Sequence, residues 1–171
     1  MFVNRKTAAA LFASVLLTAG AVGTAQAAST GGAAGASAPS ACRPANHRAT
    51  IVQDQSSAGH IHFRVTLTAP AGYAPCTLAG SPTDARFAYR GKAVGTAAGS
   101  YGDQGQAVTF GPGRPVHFDI QVPNLGTTRA ADTAEFTLTT PGGGTIPGAS
   151  GVTGTFRVAD GTRIGPVQPG A

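Results

Sequence analysis

From residue 49 onward the apolar residues recur every second position, and no segment after residue 42 carries a helical period. In "HIHFRVTLT" (60–68), Ile61, Phe63, Val65 and Leu67 point one way, while His60, His62, Arg64 and Thr66 point the other. In "PVHFDIQV" (115–122), Val116, Phe118, Ile120 and Val122 alternate with His117, Asp119 and Gln121. Both stretches predict strands with one buried face. "DARFAYRG" sets Phe87 and Tyr89 against Arg86, Ala88 and Arg90; "AEFTLTT" sets Phe136 and Leu138 against Glu135, Thr137 and Thr139. Val152, Phe156 and Val158 share a parity in "VTGTFRV", and "ATIVQ" (49–53) and "AVTF" (107–110) complete the set. Phe63, Val65, Phe118, Ile120, Phe136 and Phe156 are the expected core.

Turn residues separate these runs. "GPGRP" (111–115) predicts a hairpin joining the strand at 107–110 to the one that follows, because Gly and Pro adopt backbone angles that a strand does not. "TPGGGTIPGASG" (140–151) reads as a long glycine-rich loop, either a binding loop or a spacer. About seven short strands at this spacing predict an all-β fold, an immunoglobulin-like two-sheet β-sandwich.

The first 41 residues stand apart. Arg5 and Lys6 precede an apolar stretch from Ala8 to Leu17, and "AQA" (25–27) has the small-x-small pattern that signal peptidase cleaves, which predicts a signal peptide over 1–27. Gly20, Gly23, Thr24 and Gln26 interrupt the apolar run, so a retained membrane anchor is not expected. "ASTGGAAGASAPSA" (28–41) reads as a flexible linker, residues 42–166 as the β-sandwich domain, and 167–171 as a C-terminal tail. The expected product is a secreted, extracellular monomer with no membrane attachment once the signal is cleaved.

Charge narrows the partners. The pI is near 9.9, but removing Arg5 and Lys6 lowers the formal charge from +5 to +3. The remaining basic residues are scattered, without the clustered stripe that accompanies nucleic-acid binding, so no nucleic-acid partner is expected. A weakly attracted, anionic cell-wall or other extracellular partner fits better.

Two cysteines in an exported chain pair, because the compartment is oxidising, and Cys42–Cys76 is the expected disulfide. Cys42 is expected to start the first strand and Cys76 to enter the strand after "APAGYAP". A free reactive thiol would need a basic neighbour, and Cys76 has Pro75 and Thr77 beside it.

The stretches "CTLAGSP", "VTFGPGRPVHFDIQV" and "AEFTLTTPGGG" resemble the actinobacterial secreted domain-of-unknown-function family numbered forty-two thirty-two, over about residues 42–166. The resemblance implies an immunoglobulin-type sandwich and an extracytoplasmic location, and it implies no activity. The chain departs from that pattern at Ser81, where an aromatic is common, and near Ala69–Ala71, where an Asn is common. It also lacks a second cysteine pair that the family often has near Arg129 and toward the last strand. Loss of both members together suits a pair bonded to each other, which leaves Cys42–Cys76 as the other bridge.

His60 and His62 project from one strand face about 7 Å apart, a spacing metals can use, and His117 or Asp119 on a neighbouring strand would be the third ligand. The competing reading is a solvated polar face with an Arg64–Asp119 cross-strand ion pair, in which Arg64 repels a cation. The latter is the expectation: no metal site and no cofactor. The seven carboxylates are dispersed, and no nucleophile elbow or phosphate loop is present, so no catalytic residues are assigned. The expected function is a secreted, non-catalytic β-sandwich binding a cell-envelope or extracellular partner; the alternative is an extracellular metal-binding protein using its surface histidines.

Overall fold

A six-stranded sheet, antiparallel except for one short parallel edge pair, a four-stranded antiparallel sheet and a two-stranded ribbon enclose a single apolar core. The computed structural model describes residues 37–171, so the expected signal peptide and most of the linker lie outside the described residues. In chain order the strands are β1 (Arg48–Gln53), β2 (His60–Thr68), β3 (Cys76–Ala79), β4 (Thr83–Tyr89), β5 (Lys92–Ala93), β6 (Gly99–Ser100), β7 (Ala107–Phe110), β8 (Val116–Pro123), β9 (Thr128–Thr137), β10 (Ser150–Ala159), β11 (Arg163–Ile164) and β12 (Gln168–Pro169). One sheet runs β1-β2-β8-β11-β6, with β12 also on β8; the other runs β10-β9-β4-β5; β3 and β7 form the ribbon. The fold is an all-β sandwich, as the alternation predicts.

The core follows the strand parity. Phe63, Val65, Phe118, Ile120, Phe136 and Phe156 are all at most 4% exposed. Phe118 of the first sheet meets Phe136 of the second edge-on, with centroids 4.9 Å apart. Phe156 lies between Phe63 and Phe87 at 6.0 and 6.1 Å, both edge-on, which is the arrangement that the ring quadrupoles favour. These contacts join the two sheets through the centre of the sandwich. At one side β1 lies against β10, and the close approach depends on Gly154: a Cβ there would stand 2.5 Å from Ile51 Cγ2. Gly154 sits where β10 carries one extra residue relative to β9, between Thr153 and Phe156, so a bulge and a side-chain-free position coincide.

Several sequence expectations need correction. Tyr89 does not join Phe87 in the core; it is 39% exposed, with the Arg90 guanidinium 5.1 Å above its ring. Cys42 lies in a turn six residues ahead of β1 rather than in a strand. β9 begins at Thr128, earlier than expected, because Ala131 and Ala134 are its inward residues and small side chains give little periodic signal. The loop after β9 is a built turn: Thr140 N–H donates to Gly144 O and Ile146 N–H to Leu138 O, each at 2.8 Å. The ordered domain also extends past both expected limits. Ala74 N–H donates to Pro39 O and Ala41 N–H to Ala74 O, and Ala41 is fully buried. Residues 167–171, expected as a tail, begin with a fully buried Val167 and pair with β8 through Gln168 and Pro169.

That C-terminal strand also overturns the expected β7–β8 hairpin. The turn starts as one, with Gly111 and Arg114 exchanging N–H···O bonds of 3.3 and 2.9 Å. Pro115 then supplies no N–H, and the β8 edge that would receive β7 is occupied by β12, with Gln168 opposite His117 and Pro169 opposite Val116. β7 diverges to pair with β3 instead.

Candidate binding groove and the histidine face

The disulfide is where the sequence places it. Cys42 and Cys76 are bonded across a Cα–Cα distance of 6.0 Å, and Cys42 is fully buried. The bond ties the segment ahead of β1 to the start of β3. A residue that carried no signal in the sequence completes this corner. His47 Nδ1 lies 3.0 Å from Ala41 O and Nε2 3.0 Å from Ser150 Oγ, with its ring edge-on to Phe110 at 5.6 Å. A carbonyl only accepts, so Nδ1 carries the proton and Nε2 accepts from the serine hydroxyl. Burial holds the imidazole below its ordinary pKa, which agrees with this neutral tautomer. No apolar alternation flanks His47, so pattern reading had nothing with which to find it.

β2 and β8 are antiparallel neighbours, as expected, but their register separates the histidines. His60 is opposite Pro123, His62 opposite Gln121, and His117 opposite Thr66. Four residue steps of strand separate the His62 and Thr66 levels, about 13 Å along the sheet, so His117 is no third ligand. Among the described residues, no three His, Cys, Asp or Glu side chains converge on a point.

The histidine face is a polar network instead. His62 Nε2 is 2.8 Å from Ser57 Oγ and Nδ1 is 3.7 Å from Asp119 Oδ2. Arg64 stands opposite Asp119 in register, as expected, but its shorter ion pair is with Asp54, at 2.7 Å from Nη2 to Oδ2, against 4.0 Å from Nε to Asp119 Oδ1. The Gln55 N–H, and then Arg64, hold the Asp54 carboxyl below its ordinary pKa. Tyr101 lies over Gly165 on the same side, and burial, together with the charge of Asp119, raises its phenol. Arg64 thus bridges two carboxylates, while its Nε and Asp119 Oδ1 are buried without a hydrogen-bond partner among the described residues.

The β3–β7 ribbon borders a groove of about 460 Å³, whose walls include Gln106, Ala107, Thr109, Arg114, Pro169 and Gly170. The direction of the backbone groups along β7 follows from one hydrogen bond. Ala79 N–H donates to Thr139 O, away from β7, so the opposed pair Ala79–Ala107 exchanges no hydrogen bonds. Alternation then turns Val108 and Phe110 toward β3, and Ala107 and Thr109 toward the groove. Gly111, next in that parity, bonds Arg114 on the same side, which fixes the assignment independently. Among the described residues, the N–H and C=O groups of Ala107 and Thr109 therefore form an open strand edge. The side chains of Val108 and Phe110 are buried beneath it, and those of Ala107 and Thr109 are exposed.

The staple, the sandwich and the ribbon define a disulfide-anchored β-sandwich domain. Residues 42–168 match the family described as "Domain of unknown function (DUF4232)", and the chain belongs to that family. No curated protein and no solved structure is significantly similar to the chain.

Proposed function

We propose that the chain is a secreted, non-catalytic module that binds a cell-envelope or extracellular partner. The observation that carries this reading is the β3–β7 ribbon. It is anchored by Cys42–Cys76, a bond type that persists in oxidising compartments, and it borders a groove of about 460 Å³ with an unpaired strand edge on one wall. The "AQA" pattern at 25–27 agrees with export. The cargo of such a module is recognised by shape and main-chain hydrogen bonding, and no residue of the ribbon needs to act as an acid, base or nucleophile.

Fractionation of cells expressing the tagged chain tests it. The expected result is protein beginning near Ala28, found outside the cytoplasm, with part of it retained on washed envelopes or on an extracellular component. Cytoplasmic protein with reduced cysteines contradicts the proposal.

A further inference from the structure

We propose that the groove-facing edge of β7 accepts an extended acidic peptide as an added β-strand, a partner class that rests on the binding-module reading above. Three features point to this occupant. The first is the open edge: Ala107 and Thr109 present alternating N–H and C=O groups, and an extended backbone is the ligand whose donors and acceptors repeat at that spacing.

The second feature is the opposite wall. Pro115 and Pro169 flank the groove, and neither has an N–H to offer the carbonyls of Ala107 and Thr109. Gln168, the non-proline residue of β12, faces His117 of β8 in the ladder. The chain thus places β12 beside β7 without closing the ladder. Three other edges are treated differently: those of β1 and β10 lie against each other, and that of β3 is bonded by Thr139 at Ala79. Unpaired edges are ordinarily shielded in this way, and β7 is left open.

The third feature is charge. Arg114 is the charged side chain of the groove wall, on a chain whose net charge is positive, so a carboxylate is the complementary group on the occupant. Main-chain pairing supplies affinity, and Arg114 with the exposed Ala107 and Thr109 side chains supplies preference.

The test pans a displayed library of random 12-residue peptides on the full-length chain with its disulfide intact. Enriched peptides should carry alternating β-branched residues with at least one Asp or Glu, and their glutamate-to-lysine versions should bind at least tenfold more weakly. Methylating the backbone nitrogens of a selected peptide at alternate residues should abolish binding in one parity and spare it in the other. On the protein, Thr109→Pro removes an N–H that takes no part in the β3 ladder and should weaken binding at least tenfold. Arg114→Glu should reverse the charge preference, and as a surface change it remains informative if Thr109→Pro fails to fold. Equal binding by both methylation patterns, or enrichment of peptides indifferent to Arg114→Glu, overturns the proposal. So does a concentration-dependent dimer of the wild-type chain that Thr109→Pro abolishes, because the edge would then belong to a second copy. If Thr109→Pro is retained on envelopes as well as the wild type, strand addition fails while the binding-module reading survives; if neither is retained, both fail.

Discussion

Removing the disulfide isolates the contribution of the corner that holds the ribbon. In the double variant Cys42→Ala/Cys76→Ala the unfolded chain regains the freedom of a loop whose ends are 34 residues apart. The loop-entropy relation puts that at about 3.8 kcal/mol at 25 °C. Cys42 is fully buried, so the lost sulfur adds a small packing penalty of the same sign. For a domain of this length, with an unfolding entropy of about 2.1 cal/mol/K per residue, the midpoint should fall by roughly 13 °C. The hydrogen bonds of Ala74 to Pro39 and Ala41 persist in the folded variant, so the far-ultraviolet circular dichroism spectrum should be unchanged below the transition. Thermal melts of the variant and of the wild type, with and without reductant, measure the effect. A fall of less than about 4 °C, or equal melting temperatures for reduced and oxidised wild type, refutes the assignment of the bond as the main constraint on this corner.

Three further outcomes follow from packing and protonation. Phe118→Ala removes a ring that is 1% exposed and edge-on to Phe136, and should cost about 3–5 kcal/mol in denaturant unfolding, whereas Thr137→Ala should cost far less; equal losses contradict the core register. Gly154→Ala brings a methyl group against Ile51 and should lower the melting temperature, and pairing it with Ile51→Ala should recover part of the loss; no recovery contradicts the close approach of β1 and β10. His47 titrates below its unfolded value of 6.5 when folded, so its contribution to stability is complete above that pH and is lost as pH falls through the depressed folded pKa. Melting temperatures of the wild type should therefore decline between pH 7 and pH 5 more steeply than those of His47→Gln; parallel profiles contradict a half-buried, neutral imidazole.

Strand identity was legible wherever large apolar residues alternate. β2 and β7 span 60–68 and 107–110, the ranges that periodicity predicts, and the six predicted core residues are buried. What escaped depends on long-range competition. Nothing local in "GPGRP" shows that residues from the far end of the chain take the β8 edge, so β7 reads as a hairpin partner of β8 when it belongs to β3. Parity placed His62 and His117 on one face, but only register decides whether they meet, and register is set by strand pairing across more than 50 residues of sequence. Alanines at 131 and 134 hid the first half of β9 for the opposite reason: a small side chain packs well in a tight interior and leaves a weak hydrophobic signal. His47 and the open edge of β7 could not be read at all, since one depends on tertiary hydrogen bonds and the other on which backbone groups stay unpaired.

The central claim is that this chain holds an extracytoplasmic partner at the β7 groove, and site-specific photo-crosslinking in growing cells tests it most directly. A photoreactive residue replaces Ala107, at the open edge, or Thr153, on the outer surface of β10 as a control. The account predicts a discrete adduct from position 107, absent from position 153, recovered outside the cytoplasm and in a form whose Cys42–Cys76 bond is intact. Adducts of equal yield from both positions, or adducts to cytoplasmic proteins by a chain with free thiols, would contradict it.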